Sequence, residues 1–340
     1  MTDTRLDTPS VADRTRGVDV GAPVVGVHFL GDTAAAFVLA EEALVLASQD
    51  GAPRRCPIHG GAILSAVADG ERVISGGDDG KVVSTDASGT STVVAADAKR
   101  RWIDHVAVAR AGAVAWSAGK QAFVLAAKDV GKSEPRMLEV PSTVGGLAFA
   151  PKGFRLAIAH YNGATLWFPN AKAEPERLDW KGSHLVATIS PDGRFLVTAM
   201  QEAMLHGWRI VDRKDMRMQG YTARVRSLDW TADGKWLATS GSTQLILWPF
   251  QAKDGPMGKT PQLLAPTDQQ VETVACHPKQ PVVAVGYADG LILLVRLDDG
   301  AEVLAKSPGD APVSALAWNQ DGRLLAFGTE GGEAGVLYLS

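Results

Sequence analysis

Leu228–Thr239 reads LDWTADGKWLAT, and the same cadence returns at Ile189–Thr198 (ISPDGRFLVT) and Leu316–Gly328 (LAWNQDGRLLAFG). Each stretch is an apolar segment, a turn built on Asp-Gly, and a second apolar segment. Asp-Gly supplies the positive φ angles that tight hairpins require. The flanking segments are short and rich in Val, Ile, Leu and Ala, as in Arg226–Trp230 (RSLDW), Lys235–Ser240 (KWLATS) and Leu245–Phe250 (LILWPF). These are strand lengths, and no helix-period stretch with caps interrupts them.

Working outward, the turn serves as a ruler. It appears at Gly31-Asp32, Asp69-Gly70, Ala111-Gly112, Lys152-Gly153, Asp192-Gly193, Asp233-Gly234, Lys279-Gln280 and Asp321-Gly322, with spacings of 38, 42, 41, 40, 41, 46 and 42 residues. A period of roughly 40 to 45 residues with several strands per period marks the blades of a propeller. The turns define eight three-strand units. A fourth, outer strand follows seven of them, at Arg54–Ile58, Ser91–Ala95, Arg136–Val140, Glu176–Asp179, Met216–Met218, Gln262–Ala265 and Glu302–Ala305. The eighth unit runs to Ser340 without one, and Val18–Pro23 is available to fill that place.

The chain resembles the Trp-Asp repeat β-propeller family over roughly residues 24 to 340. Trp167, Trp208 and Trp248 stand where that family ends its third strand, although the following Asp is replaced in Trp167-Phe168, Trp208-Arg209 and Trp248-Pro249. The resemblance implies an all-β fold: a closed β-propeller of four-stranded antiparallel blades, its ring closed by an N-terminal strand. Eight blades are expected, with seven as the alternative if unit one or two is not a full blade. Residues 1–17 are expected to form a disordered polar tail, and residues 18–340 a single propeller domain. Gln251–Lys259 (QAKDGPMGK) reads as a mobile loop. The degenerate blades and abundant Ala suggest a bacterial member.

Composition narrows function. The chain of 340 residues carries a net charge of −4, which argues against a nucleic-acid or anionic-membrane binder because such proteins displace counterions with a basic excess. There is no apolar signal segment in residues 1–17 and no run of about 18 apolar residues, so a cytoplasmic, membrane-free protein is expected. Cys56 and Cys276 are too few and too far apart for a disulfide framework.

Three groups of residues invite a chemical reading. The family's internal hydrogen-bond network implies roles for His59, Ser75 and Asp79 in unit two, with Thr85 replacing the Trp. In unit five it implies roles for His184, Thr198 and Trp208, with Glu202 near the Asp position. His, Ser and Asp in one blade imitate a catalytic triad, but no nucleophile elbow accompanies them. Cys56 and His59, with Cys276 and His277, supply zinc-type ligands, yet they lie in separate units, and adjacent residues on a strand point to opposite faces. No metal or cofactor is therefore expected. Gly76-Gly77-Asp78-Asp79-Gly80 lacks the helix a phosphate loop needs, and Glu41-Glu42 and Asp298-Asp299 are turn residues.

The remaining group is a surface. Lys99-Arg100-Arg101-Trp102, Arg224 and Arg226 lie in connections between an outer strand and the next unit, which in this family share a face with the turns at His160-Tyr161-Asn162 and Tyr287-Ala288-Asp289. Arg, Tyr and Trp are common binding anchors. Arg100, Arg101, Trp102, His160, Tyr161, Arg224 and Tyr287 are thus the candidate partner-binding residues. The expected function is a non-catalytic, monomeric protein–protein interaction scaffold. The alternatives are a small-ligand sensor or enzyme working at the central channel, where His28, His105 and Asp229 interrupt apolar strands such as Val106–Ala109, or an accessory protein in metal handling.

Overall fold

The structure, a computed structural model, describes residues 8–49 and 51–339. Every repeat unit folds as an antiparallel meander in which the strands follow one another outward, beginning with unit one as Val24–Leu30, Ala34–Leu39, Ala43–Ala47 and Arg54–Pro57. The hairpin turns that set the ruler carry positive φ at Gly70, Gly112, Gly153, Gly193, Gly234 and Gly322, as tight reversal demands. The first strand of each unit lies innermost and the last faces the rim.

In place of the eight expected blades the described residues form seven sheets, and so seven blades: six of four strands and one of six. The merger falls at units four and five, and not at unit one or two. Leu156–Trp167 and Glu176–Ile189 each run without interruption through what the sequence reads as two strands. The first of these runs doubles back on itself. His160 Nε2 lies 2.9 Å from Thr165 Oγ1, whereas five residues of extended strand would separate them by about 17 Å. The reversal sits at Asn162-Gly163, both at positive φ (67° and 136°), and the outer limb then pairs with Glu176–Asp179. The second run continues past Trp180 and pairs from His184 onward with Phe195–Met200. The two halves of this sheet pack against each other, burying Leu166 with Leu196 and Trp208.

The ring is continuous, and hydrogen bonds cross its junctions. Gly31 N donates to Gly70 O (2.6 Å), Val106 N to Ser65 Oγ (3.2 Å) and Val144 N to Gly119 O (2.9 Å). Trp230 Nε1 donates to Thr188 Oγ1 (2.9 Å), Trp318 Nε1 to Ala275 O (3.0 Å) and Asn319 Nδ2 to Asp32 O (2.8 Å). Between the units lie apolar clusters such as Phe37 with Ala326 and Val336, and Leu247 with Val283 and Val295. Burying both faces of every sheet explains why strands such as Phe195–Met200 are buried at every position and do not alternate.

An N-terminal strand closes the ring, as expected, but from a different segment. Thr15–Gly17 pairs antiparallel with Ala334–Tyr338 and supplies the outer strand of unit eight, while Val18, Val20 and Ala22 pack beneath it in the junction with unit one. The chain before it is also seated, within what was expected to be a disordered tail. Leu304 N donates to Pro9 O (2.7 Å) and Val11 N to Leu304 O (2.9 Å), so this arm spans units seven and eight. Residues 1–7 of the expected tail lie outside the described residues. Gln251–Lys259 is likewise held, with Arg194 donating to Phe250 O (3.1 Å) and Ala252 O (3.2 Å) and Arg209 pairing with Asp254.

Candidate functional site

His59 enters unit two just before its inner strand and turns inward. Its Nε2 lies 2.9 Å from Ser75 Oγ and its Nδ1 3.0 Å from Asp79 Oδ1. Asp79 also accepts from Gly60 N (3.0 Å) and Lys81 N (3.1 Å). Burial alone would raise its carboxyl pKa, but these donors and His59 outweigh it and hold the group below its ordinary value. The connectivity is that of a serine triad, but Ser75 has no exposed surface and its hydroxyl faces Val83 O at 3.5 Å. A nucleophile must touch its substrate, and this one is sealed within the sheet. What the trio does is satisfy buried polar groups where the chain turns into the blade.

Unit five repeats the arrangement with different partners. His184 Nδ1 lies 2.7 Å from Thr198 Oγ1, which donates to His206 O (3.0 Å), while His184 Nε2 turns to Trp180 O (3.1 Å). Trp208 is edge-on to His206 at 4.6 Å between ring centroids. Unit six carries a version that the sequence reading missed: Tyr221 OH lies 2.9 Å from Thr239 Oγ1 and accepts from Trp248 Nε1 at 2.8 Å.

The connections between units and the turns between second and third strands share one face. Asp97 N donates to Gly80 O (2.8 Å), Ala223 N to Gly241 O (3.0 Å) and Tyr161 N to Ser142 Oγ (2.8 Å). On that face Trp102 is 61% exposed and Tyr161 57% exposed. Arg100 and Arg224 are also exposed, Arg224 reaching Gln201 Oε1 at 3.2 Å. Arg101 is tied down: it pairs with Asp97 at 2.6 Å and donates to Gln121 Oε1 at 2.8 Å across the groove towards unit three.

Two of the expected surface residues are not on the surface. Tyr287 is fully buried and donates its hydroxyl to Ala265 O (2.8 Å). His160 is buried beneath its own turn, held by Thr165 Oγ1 and by Tyr161 O, each at 2.9 Å. A turn position in the repeat decides where the backbone goes, and these side chains fold back under it to cap the sheet.

The structure does not bring the Cys and His residues of units one, two and seven together as a metal site. Both cysteines are buried and free. Cys276 Sγ faces Asp229 O at 3.6 Å, and burial pushes its thiol pKa well up. His277 uses both ring nitrogens on backbone, Nε2 with Gly322 O (3.0 Å) and Nδ1 accepting from Lys279 N and Gln280 N. Among the described residues no group of three or more His, Cys, Asp or Glu side chains is placed to hold a metal ion.

Along the channel Asp229 and Ser227 are spent on the neighbouring blade. Asp229 accepts from Cys276 N (2.7 Å) and Trp230 N (2.9 Å), and burial pushes its pKa up to about 6 despite those donors. Ser227 accepts from Val274 N (3.0 Å) beside it. His28 is half-buried, and desolvation lowers its pKa to about 4, with an opposing contribution from the Ala66 backbone. Burial likewise lowers His105. At the channel mouth, Arg226, Glu272 and Glu330 line a cavity of about 500 Å³ with Pro23, Val24, Val25 and Ala40.

This combination of repeated meanders, His- and Tyr-centred networks and a closed ring defines a β-propeller of the Trp-Asp repeat class. The comparisons agree. The "WD domain, G-beta repeat" family model matches residues 214–249, and the "Anaphase-promoting complex subunit 4 WD40 domain" model matches residues 274–339. The chain is a β-propeller whose residues 214–249 and 274–339 match WD-repeat models. Among solved structures it is similar to a computationally designed protein, Ika8, with a TM-score of 0.77 at 16% identity over 95% of this chain and 98% of that one, a likeness of fold. No curated protein sequence matches. No helix among the described residues is long and apolar enough to cross a membrane. WD-repeat propellers are commonly non-catalytic interaction scaffolds.

Proposed function

We propose that this protein is a non-catalytic scaffold, cytoplasmic and monomeric, that binds a partner protein through the face formed by its inter-unit connections and second-to-third-strand turns. The observation that carries this reading is the pair of exposed aromatics on that face, Trp102 and Tyr161. Large aromatic side chains left in water with no structural duty are the usual anchors of an interface. Arg100 and Arg224 lie on the same face and supply directional charge. The His59, His184 and Tyr221 networks deep in the blades are committed to backbone and to neighbouring side chains, which speaks for a structural rather than a catalytic role.

The test is affinity purification from the native cell with the wild-type chain and with a Trp102→Ala/Tyr161→Ala variant of unchanged thermal stability. A partner held by the wild type and lost by the variant supports the reading. A partner retained by the variant removes this face as the docking site.

A further inference from the structure

Units two and seven share a bulge in their outer strands. In unit seven Ile292 and Leu293 pair with Lys306 and Leu304, skipping Ala305. In unit two Val82 and Val83 pair with Ala95 and Val93, skipping Val94. The outer pairings of units one, three, five and six run without a skip. The register of the two bulges is the same, because Val82 and Ile292 face Gly76 and Gly286, the glycines that follow the skip in each inner ladder. Val93 therefore stands in unit two where Leu304 stands in unit seven.

Leu304 shows what that position does. Ladder bonds alternate along an antiparallel pair, and counting from the bond of Arg296 N to Ala301 O turns both polar groups of Leu304 out of the sheet. The N-terminal arm takes both: Leu304 N donates to Pro9 O and Val11 N to Leu304 O, with Ser10 parallel beside it. Val11 then packs in the junction with unit eight, among Ala305, Phe327 and Leu337. The same count from the bond of Asp86 N to Thr90 O turns the N–H and C=O of Val93 outward. Among the described residues nothing bonds to them outside the ladder, and Val93 is 52% exposed.

The surroundings of Val93 fit an added segment. Sheet edges are normally guarded by charge or shortness. The outer strands of units one, three and five carry charged residues and that of unit six has three residues, whereas Ser91–Ala96 (STVVAA) has six and no charge. In the junction with unit three, the counterpart of the one Val11 fills, lies an open groove of about 740 Å³ over Val94, Leu125 and the stacked rings of Trp116 and Phe123. Of the ionisable side chains lining it, Asp97 and Arg101 pair at 2.6 Å, and Lys99 and Lys132 against Glu134 leave one positive charge over. The groove runs out at Asp97–Trp102, on the face that carries the exposed Trp102.

We propose that the outer edge of unit two binds an extended segment of the partner protein as a parallel fifth strand, in the way the chain's own arm lies on unit seven. This rests on the scaffold reading. The backbone of Val93 holds the segment by two hydrogen bonds, and side chains at alternate positions supply selectivity. A β-branched residue in the place of Val11 enters the groove over Trp116 and Phe123. A parallel segment continues from there towards Lys99, so an acidic residue just after the β-branched one meets the surplus positive charge. The arm itself has this pattern, as Pro9-Ser10-Val11-Ala12-Asp13.

The probe is the peptide acetyl-Thr-Pro-Ser-Val-Ala-Asp amide, followed by amide chemical shifts of the full chain. The expected result is saturable shifts at Val93, Val94, Lys99 and Phe123. The same peptide methylated on its valine nitrogen lacks the donor to Val93 O and should bind at least about tenfold more weakly. Asparagine in place of its aspartate should cost about threefold. Val93→Pro removes the donor on the protein side at an edge position that proline tolerates, and should also cost about tenfold; the methylated peptide tests the same pair of bonds without altering the fold. Equal binding of the methylated peptide, undiminished affinity in a Val93→Pro protein of unchanged melting, or no shift at about 10 mM peptide overturns the proposal. Equal binding of the asparagine peptide overturns its acidic requirement. Self-association of the wild type that Val93→Pro abolishes gives the edge to a second copy and overturns the assignment to a partner. The two readings fail separately. A partner captured equally well by Val93→Pro removes the added strand and leaves the scaffold, whereas a saturable peptide site with no partner captured by the wild type removes the scaffold and leaves the edge.

Discussion

The indole of Trp248 donates to the hydroxyl of Tyr221 at 2.8 Å, and the same hydroxyl lies 2.9 Å from Thr239 Oγ1. Units two and five place a histidine at this point, bonded to Ser75 and Thr198. Unit six does the same task with a phenol, whose pKa burial pushes above the ordinary range. Tyr221→Phe removes both bonds and leaves the Trp248 N–H without an acceptor. The expected loss is about 1–3 kcal/mol of unfolding free energy in urea titration. In a double-mutant cycle with Trp248→Phe, the two changes should cost less together than the sum of each alone; strict additivity would show that the bond contributes nothing.

Much of the fold was legible in the sequence because a hairpin turn and a period are local properties. Asp-Gly pairs at regular intervals needed no knowledge of distant contacts, and the outer strands of units one, two, three, five, six and seven fell within a residue or two of where the repeat placed them, while that of unit four runs on to Ile189 and that of unit eight comes from Thr15–Gly17. The network of His59, Ser75 and Asp79 was readable for the same reason. Tyr221 was missed because the pattern sought a histidine, although a Tyr preceding an inner strand and a Trp ending the third strand were both in view. The merging of units four and five was hidden: Trp180-Lys181-Gly182-Ser183 reads as a connection, and only its three-dimensional path keeps it in strand geometry. Burial of His160 and Tyr287 was hidden too, since a repeat position specifies a turn and not the direction of its side chains.

The close approach of units four and five makes Gly145 sensitive. A Cβ built there would sit 2.1 Å from His184 O, a backbone atom that cannot swing aside. Gly145→Ala should therefore cost about 1–3 kcal/mol, the range expected for overpacking. Gly131→Ala is a poor control because that residue has positive φ, so Ala203→Gly on an exposed turn is the better comparison. A Gly145→Ala protein as stable as wild type would mean the two inner strands are further apart.

Stability should fall in mild acid. His206 has neither ring nitrogen hydrogen-bonded among the described residues, and it stacks on Trp180 at 4.2 Å. Burial first, then His184 and Arg217, lower its pKa to about 3, while burial lowers that of His28 to about 4. Between pH 6.5 and those values the unfolded chain binds protons that the folded chain refuses. Each group then removes on the order of 1.4 kcal/mol per pH unit as the pH falls. Asp229, raised to about 6, works the other way, contributing most when protonated at low pH and less as the pH rises from about 4 to 6. His206→Phe keeps the ring stack and removes the titration. Its melting temperature should decline less steeply than wild type below pH 6.5, and parallel curves would refute the assignment.

The N-terminal arm is the part of the ring held by sequence-distant pairing alone. Thr15–Gly17 covers the edge of Ala334–Tyr338, and Pro9 and Val11 bond to Leu304 on the neighbouring unit. A closed ring leaves no unit with a bare side, so its weakest junction is where the chain ends must meet. Deleting residues 1–17 removes the outer strand of unit eight and uncovers a row of backbone donors and acceptors on an apolar strand. Such an edge recruits whatever strand is nearest. The deleted protein should melt earlier and self-associate with rising concentration in sedimentation velocity. A synthetic peptide of residues 8–23 should reverse both effects by refilling the edge and the apolar junction beneath it. If the truncated chain melts like wild type and stays monomeric, the ring does not depend on this clasp, and the inner-strand bonds from Ser314 to Val24 and from Asn319 to Asp32 carry the closure by themselves.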